Sequence, residues 1–213
     1  MNIVDELRKC GIVPVVVIEK EEDAVPLAKA LLAGGINSAE VTFRTDAAAA
    51  GIKAIAEEVP EVIVGAGTVL TPEQARTAVK NGAKFLVSPG MDKDVIAAAN
   101  ELEVPILPGA VTPTEIIQGM KLGIEIFKFF PAGNYGSIKT IKALAGPFTK
   151  AEFVPTGGVN LDNLEDYLSF DRIAFVGGSW MCPKDLIAEG NWDAIEEKAK
   201  EAVARMRKVR PEA

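Results

Sequence analysis

Short runs of apolar, largely β-branched residues recur along the whole chain, separated by longer amphipathic stretches rich in Ala, Leu, Glu and Lys. The runs have the length of buried strands, and the stretches between them have the period of helices that bury one face. This alternation is typical of repeated βα units with parallel strands. Eight strands are predicted, at Ile12–Ile18, Ser38–Phe43, Val62–Ala66, Phe85–Ser88, Pro105–Leu107, Ile124–Phe130, Phe153–Thr156 and Ile173–Val176.

Residues that begin and end helices support the same division of the chain. Thr71-Pro72-Glu73 and Thr112-Pro113-Thr114-Glu115 each place an N-cap residue before a proline at the first helical position, and the second is also a capping box. Each helical run then ends just before a strand, as C-capping residues do. These C-terminal signals are Gly34-Gly35, Asn81-Gly82 and Leu122-Gly123.

Eight parallel strands predict a closed α/β fold, the (β/α)8 or TIM barrel, with a short helix over Ile3–Cys10 before the first strand. A doubly wound open sheet is the rival fold, but it would place a glycine-rich turn after the first strand. The sequence there is Ile18-Glu-Lys-Glu-Glu-Asp23. No linker or low-complexity tract interrupts the chain, so residues 1–213 are predicted to form a single barrel domain.

Chemical groups in such barrels collect at the C-terminal ends of the strands. In the second strand, Glu40, Thr42 and Arg44 share one face and apolar residues form the other. The apolar face must meet the surrounding helices, so the polar face is predicted to point into the barrel. A buried Glu–Arg ion pair is the structural alternative, although such pairs stabilise proteins only weakly.

Lys128 interrupts the apolar, aromatic run Gly123-Ile-Glu-Ile-Phe-Lys-Phe-Phe-Pro131. Burying an ammonium is costly and favours the neutral amine, which is the nucleophile that forms a Schiff base with a carbonyl. A lysine that reaches the end of its strand, or a charge protecting a sheet edge, is the structural alternative. If the Phe127/Phe129 face packs against helices, Lys128 points into the same lumen as the polar face of the second strand.

Glycine-rich turns follow four of the strands. The seventh and eighth end in Thr156-Gly157-Gly158 and Gly177-Gly178-Ser179. Barrels often bind phosphate at these two loops through backbone N–H groups and a short helix, although two tight turns are the structural alternative. The third ends in Gly65-Ala-Gly-Thr68, where two glycines would let a ligand approach the backbone and the threonine offers a hydroxyl. The fourth ends in Ser88-Pro89-Gly90, a weaker signal.

Composition narrows the chemistry. The chain has no histidine, which excludes Ser-His-Asp and Cys-His catalysis and the usual histidine-containing metal sites. No Asp-rich motif indicates a metal, and no metal or cofactor is predicted.

A net charge of −7 argues against nucleic acid as a partner. No apolar run has the length of a membrane span, and the first residues lack the basic start of a signal peptide. Two cysteines, Cys10 and Cys182, fit packing roles in a reducing cytoplasm.

These segments resemble the 2-keto-3-deoxy-6-phosphogluconate (KDPG) aldolases, which are grouped with the 4-hydroxy-2-oxoglutarate aldolases. Gly35-Ile-Asn-Ser-Ala-Glu-Val-Thr-Phe-Arg44 is similar to the family's general-base segment. Gly123-Ile-Glu-Ile-Phe-Lys-Phe-Phe-Pro-Ala132, closing with Gly136, is similar to its Schiff-base segment. The resemblance runs from the first strand to the final helix, and further signatures lie at Val62–Leu70, Pro155–Val159 and Gly177–Trp180.

The resemblance implies a metal-independent class I aldolase that cleaves a 2-keto-3-deoxy phosphosugar acid to pyruvate and glyceraldehyde 3-phosphate, and it implies a homotrimer. Lys128 would be the Schiff-base lysine and Glu40 the proton-transfer residue. Arg44 and Thr68 would hold the pyruvate carboxylate. The other expected contacts are Pro89, Phe130 and Thr156 around the substrate, and Gly157, Gly158, Gly178 and Ser179 at the phosphate.

Two departures from the family pattern leave the preferred substrate open. Ile18-Glu19-Lys20 stands where some relatives carry an arginine, and Gly133 stands where glutamate is common. A preference for 4-hydroxy-2-oxoglutarate or for 2-dehydro-3-deoxy-6-phosphogalactonate would use the same Lys128 and Glu40. A non-catalytic phosphosugar-binding barrel is an alternative of another class, and it would leave both residues idle.

Overall fold

All eight predicted strands form in the computed structural model, which describes residues 2–211. The outermost positions of the domain predicted for residues 1–213 therefore lie outside the described residues. Each strand is short and parallel to its neighbours. The strands are β1 (Ile12–Val16), β2 (Ser38–Thr42), β3 (Ile63–Gly67), β4 (Leu86–Val87), β5 (Ile106–Leu107), β6 (Ile126–Phe129), β7 (Glu152–Pro155) and β8 (Val176–Gly178).

Helices alternate with these strands along the chain. A 3-10 turn at Glu21–Asp23 precedes α2. Within residues 2–211, none of the helices combines the length and the apolar character that crossing a membrane requires. The helices are α1 (Ile3–Cys10), α2 (Ala24–Ala33), α3 (Ala48–Glu58), α4 (Pro72–Lys80), α5 (Lys93–Glu101), α6 (Pro113–Lys121), α7 (Ser137–Ala145), α8 (Leu164–Leu168), α9 (Lys184–Ala188) and α10 (Trp192–Arg207).

The strands close into a barrel. Six of them pair in the order β5-β4-β3-β2-β1-β8, and β6 pairs with β7. A parallel bridge from Gly109 to Lys128 joins the end of β5 to β6, and bridges from Phe153 to Ile173 and from Thr156 to Gly177 join β7 to β8. The ring of eight parallel strands is therefore complete, which confirms the predicted fold.

The helix limits follow the predicted signals. The N-terminal helix α1 has the predicted bounds Ile3–Cys10. The Thr71 side chain accepts a hydrogen bond from the Gln74 N–H at the start of α4, and Thr112 and Glu115 form the predicted capping box of α6. These caps satisfy N–H groups that have no partner inside the helix, so local sequence sets where α4 and α6 begin.

Each strand differs from its predicted bounds at one end or both, most of them by one or two residues. β5 ends at Leu107 as predicted, because Pro108 has no N–H to continue the ladder, and the connection to β6 passes instead through the bridge at Gly109. β8 covers Val176–Gly178 rather than Ile173–Val176, because its first residue, Val176, pairs with Ile12, the first residue of β1. The predicted runs locate the strands but not the pairing partners that decide their ends.

The barrel separates two apolar layers. The larger layer lies between the strands and the helices and includes Phe127 and Phe129 of β6. The smaller one fills the lumen with side chains from several strands and with Leu7 of α1, which is fully buried. The amphipathic helix α1 thus closes one end of the barrel, and the polar side chains of the site lie above this apolar layer. The inner layer contains Leu7, Val13, Phe85, Val87, Leu107, Val154, Ala174 and Phe175.

Candidate active site

Lys128 and Glu40 meet inside the barrel. Lys128 Nζ lies 3.4 Å from Glu40 Oε1, and the two residues are only 3% and 4% exposed. The backbone of Lys128 is held by a hydrogen bond from its N–H to the Pro108 carbonyl, and by one from the Ala110 N–H to its own carbonyl. The separation is longer than the roughly 2.7–2.9 Å of a tight charged hydrogen bond, so the pair is in contact without being locked together.

The alternation of β6 explains why this lysine points inward. Phe127 and Phe129 belong to the outer apolar layer, whereas Ile126 packs on the inner layer. Lys128 shares the inner face with Ile126, and its Nζ lies 5.2 Å from the centre of the Phe130 ring. The prediction that Lys128 points into the lumen is confirmed. Its amine is in an apolar, aromatic environment with one carboxylate beside it.

The glycines at the end of β3 make room for side chains. A Cβ atom on Gly67 would overlap the Glu40 carboxylate, and one on Gly65 would overlap the Phe85 ring. Glycine is required at Gly67 because the Glu40 side chain lies across that backbone, not because a ligand approaches it there. This corrects the interpretation of the Gly65-Ala-Gly-Thr68 turn and adds Gly67 as a residue that positions Glu40.

Arg44 lies at the rim and not in the lumen. β2 ends at Thr42, so the strand alternation that buries Glu40 does not extend to Arg44, which is exposed. Arg44 Nε donates to Thr68 Oγ1 at 3.3 Å. The prediction of an inward-facing Arg44 is therefore wrong, and so is the alternative of a buried Glu40–Arg44 pair, because Lys128 is the partner of Glu40. Thr68 has a φ of 55°, a conformation that is rare for β-branched residues and often marks binding sites.

A cavity of about 330 Å3 opens at the C-terminal ends of the strands, beside the Lys128–Glu40 pair. Phe130 links the two, because its ring lines the cavity and also lies next to the lysine amine. Four of the predicted site residues do not line this cavity: Lys128, Glu40, Thr68 and Pro89. The other predicted site residues all line the walls of the cavity: Arg44, Phe130, Thr156, Gly157, Gly158, Gly178 and Ser179.

Gly157 and Gly158 form a concave stretch of backbone at this cavity. Their φ values are 82° and 84°, in the left-handed region that favours glycine. Within residues 2–211, no hydrogen bond occupies the N–H groups of Gly157, Gly158 or Ser179. Successive free N–H groups in a concave backbone bind anions. The helix after β7, α8, begins only at Leu164, whereas the short helix α9 begins at Lys184, six residues after the end of β8. Phosphate binding at these two loops stays a prediction.

Thr156 and Pro89 have different surroundings. Thr156 is 4% exposed, and Gly177 leaves the space that its hydroxyl occupies at the cavity wall. The Pro89 carbonyl packs closely against Gly109, where a Cβ atom would overlap it. Pro89 thus helps to hold the segment that bridges to Lys128. Its expected contact with substrate stays a prediction.

Three lining residues between the end of β8 and the first turn of α9 were missed as site residues by sequence reasoning. Cys182, Pro183 and Lys184 all line the cavity. Burial raises the pKa of the Cys182 thiol to about 12, which keeps it protonated and fits the packing role predicted for it. The signal that would have found these residues is their position directly after the eighth strand, since barrel sites are built from such loops.

The arrangement combines three chemical capacities. A lysine amine in an apolar lumen can attack a carbonyl carbon, and the carboxylate in contact with it can move protons. The N–H groups of Gly157, Gly158 and Ser179 can bind an anion at the wall of the neighbouring cavity. No group of three or more Cys, Asp or Glu residues comes together at a possible metal site in the part of the chain that the structure describes.

Comparison with known proteins identifies the family of this chain. The family model for KDPG and KHG aldolase matches residues 3–198. The KHG/KDPG aldolase of Escherichia coli K12 is 48% identical over 192 residues, 90% of either chain, and the 2-dehydro-3-deoxy-phosphogluconate aldolase of Dickeya dadantii is 48% identical over 193 residues, 91% of either chain.

Solved structures agree with the sequence comparison. The KDPG aldolase of Legionella pneumophila, with pyruvate captured as a covalent carbinolamine intermediate, superimposes with a TM-score of 0.90 at 40% identity, covering 93% of this chain and 97% of its own. The Zymomonas mobilis ZM4 enzyme with 3-phosphoglycerate gives 0.87 at 40% identity, covering 96% of each chain. The chain therefore belongs to the KDPG and KHG aldolase family.

Proposed function

We propose that this chain is a class I aldolase that cleaves 2-dehydro-3-deoxy-6-phosphogluconate to pyruvate and glyceraldehyde 3-phosphate. The observation that carries the proposal is the contact between Lys128 Nζ and Glu40 Oε1 in the apolar lumen, beside a cavity with free N–H groups. The related Legionella pneumophila enzyme holds pyruvate as a covalent carbinolamine, which is the intermediate that an amine nucleophile forms.

The reaction begins with the neutral amine of Lys128, which attacks the C2 ketone of the substrate. Glu40 accepts the proton that the amine loses and returns a proton to the departing hydroxyl, so a carbinolamine forms and then loses water. The product is an iminium whose positive nitrogen accepts electrons. Lys128 lies next to the Phe130 ring and above the inner layer, with the Glu40 carboxylate within reach of its amine.

Carbon–carbon cleavage follows from that iminium. A base removes the proton of the C4 hydroxyl, the C4–O bond becomes a carbonyl, and the electrons of the C3–C4 bond move to C2–C3 and onto nitrogen. Glyceraldehyde 3-phosphate and an enamine result. Glu40, directly or through a water, takes the proton of the C4 hydroxyl and later delivers a proton to C3 of the enamine. Water then hydrolyses the pyruvate iminium and releases Lys128.

The ends of the substrate match the ends of the site. Arg44 and Thr68, which contact each other, offer a guanidinium and a hydroxyl to the carboxylate. Thr156 and Phe130 line the path between the lysine and the rim, and Pro89 supports the wall beside them. The phosphate lies against backbone N–H groups at the cavity rim, in the turns formed by Gly157, Gly158, Gly178 and Ser179.

Steady-state cleavage of three compounds tests the proposal. Pyruvate formed from 2-dehydro-3-deoxy-6-phosphogluconate, from its galactonate epimer and from 4-hydroxy-2-oxoglutarate is measured under the same conditions. We expect the largest kcat/KM for the phosphogluconate compound. A larger kcat/KM for either of the other two compounds would make that compound the preferred substrate. If none of the three yields pyruvate, a non-catalytic phosphosugar-binding barrel is favoured.

We further propose that the chain assembles as a homotrimer. Ile117 and Met120 are one helical turn apart on α6, and together with Leu122 they expose apolar side chains, at 45%, 38% and 42%. Apolar residues exposed together mark interaction surfaces more often than isolated ones do. Light scattering during gel filtration measures the mass. A monomeric mass, or a trimer that persists unchanged in the double substitution Ile117→Lys/Met120→Lys, would contradict this surface as the interface.

We place the protein in the cytoplasm. Its two cysteines, Cys10 and Cys182, are both free, as thiols are in reducing compartments. Fractionation of the native host's cells, followed by immunodetection, tests this assignment against markers for each compartment.

A further inference from the structure

Lys184 lies at the rim of the cavity that contains the proposed phosphate site. The chain leaves β8 at Gly178, turns back through a hydrogen bond from the Cys182 N–H to the Ser179 carbonyl, and starts α9 at Lys184. This turn returns the chain toward Ser179, so that Lys184 and Ser179 line one cavity. Lys184 has no role in the reaction proposed above.

The charges around this cavity are unbalanced. In the part of the chain that the structure describes, its charged lining residues are Arg44 and Lys184, and no carboxylate lines it. Arg44 already contacts Thr68. Lys184 Nζ instead lies 3.3 Å from Oε1 of Glu19, which follows β1 at the same end of the barrel and is not a lining residue. The second cation of the cavity is therefore paired with a group outside it.

We propose that Lys184 is the specificity residue for phosphorylated substrates, with Glu19 as its partner when the site is empty. This inference rests on the proposed function. When substrate binds, the ammonium of Lys184 leaves the Glu19 carboxylate and contacts the phosphate held by the N–H groups of Gly157, Gly158 and Ser179. No covalent bond forms or breaks in this exchange.

The exchange is favoured by the strengths of the two contacts. The side chains of Lys184 and Glu19 are 68% and 64% exposed, and ion pairs so open to solvent contribute little. A phosphate carries more negative charge than a carboxylate, and the nearby N–H groups hold it in place. The long, flexible stem of lysine lets its ammonium move between the two partners while the backbone stays still.

Substitution of Lys184 tests the proposal against a matched control. The measured quantity is the ratio of kcat/KM for 2-dehydro-3-deoxy-6-phosphogluconate to kcat/KM for the unphosphorylated 4-hydroxy-2-oxoglutarate. In Lys184→Ala this ratio should fall about tenfold, the effect of one lost charged hydrogen bond, and the fall should appear in KM. The control is Lys53→Ala, which removes another exposed Lys–Glu pair, with Glu57 at 4.0 Å, away from the cavity lining. It should keep the wild-type ratio.

A substitution of Glu19 should change the ratio of kcat/KM values in the opposite direction. Glu19→Gln frees Lys184 from its competitor, so the same ratio should rise a few-fold. A wild-type ratio in Lys184→Ala, an equal fall in Lys53→Ala, or a fall in Glu19→Gln would each overturn the proposal.

Direct binding separates this inference from the proposed function. Calorimetry with inorganic phosphate needs no turnover. The wild type should bind phosphate, Lys184→Ala should bind it about tenfold more weakly, and Lys53→Ala should bind it normally. If the wild type fails to cleave the phosphogluconate compound, the proposed reaction is wrong, and the phosphate affinities still decide whether Lys184 acts as inferred. Equal phosphate affinities in all three proteins would contradict the role of Lys184 and would not affect the proposed reaction.

Discussion

Lys128 and Glu40 lie 88 residues apart in the chain, on β6 and β2, yet their Nζ and Oε1 atoms are 3.4 Å apart across the barrel lumen. Each side chain is the nearest opposite charge to the other in an apolar interior. Truncating one leaves the other buried and unpaired, which costs about 3–5 kcal/mol in comparable pairs. Substitutions that test this pair therefore need to preserve volume and hydrogen bonding where they can.

Reduction with borohydride in the presence of pyruvate should attach one pyruvate per chain at Lys128. The amine of Lys128 forms an iminium with the ketone of pyruvate, and borohydride reduces this iminium to a stable secondary amine. Peptide mass spectrometry locates the adduct. Lys128→Met, which keeps most of the volume, should lose both labelling and turnover, and a chelator should change neither in the wild type. An active enzyme labelled at another lysine would exclude this mechanism.

Glu40→Gln should lower kcat on the order of 10²-fold, because the amide fills the same space but cannot accept a proton. The variant should still be trapped slowly by borohydride with pyruvate. Exchange of the pyruvate methyl protons in heavy water, followed by NMR, reports the proton transfer directly. If exchange proceeds at the wild-type rate while KM alone rises, Glu40 binds substrate and does not move protons.

Gly158→Ala should raise KM for the phosphorylated substrate about tenfold, since a Cβ atom there would press on Gly133 at 3.1 Å and shift the anion-binding N–H groups. The matched control is Gly123→Ala. Gly123 has a φ of 81°, close to the 84° of Gly158, but a Cβ atom on it would meet nothing within 4 Å. Both variants should lose about 1–2 kcal/mol of stability from the left-handed backbone. Only Gly158→Ala should change KM, and equal KM values would contradict the phosphate assignment.

Cys182 should make the protein less stable at alkaline pH. Burial raises the pKa of its thiol from 9.0 to about 12, so between these values the unfolded state loses a proton that the folded state keeps. The contribution of the thiol is complete below pH 9 and declines as the pH rises. Above pH 9 the unfolding free energy of the wild type should fall more steeply than that of Cys182→Ala, by about 1.4 kcal/mol per pH unit. Parallel curves from urea denaturation would show that the thiol titrates normally.

The sequence predicted what depends on periodicity and local capping. Alternation along Ile126–Phe129 places Lys128 in the lumen, and the inner and outer apolar layers confirm it. The cap at Thr112 sets the start of α6 as expected. These features depend on residues within a few positions of one another, so one stretch of sequence carries all the information needed to predict them.

Features that depend on several strands together could not be predicted in this way. Strand alternation continued past Thr42 predicts Arg44 inside the barrel, but the pairing of β2 with β3 ends at Thr42. The requirement for glycine at Gly67 comes from a carboxylate on the neighbouring strand, which no pattern around Gly67 contains. The contact between Lys184 and Glu19 joins loops from opposite ends of the chain.

The apolar layer beneath Lys128, closed by Leu7 of α1, has a consequence for the order of events in a catalytic cycle. In the proposed reaction, a substrate joined to the lysine at C2 extends from the lumen into the cavity, and its phosphate half lies against the turns after β7 and β8. After cleavage, the outer fragment departs while the inner one is still covalently held. In the proposed reaction the aldehyde therefore leaves first and pyruvate second, and a different aldehyde that enters in the interval would be joined to the waiting enamine.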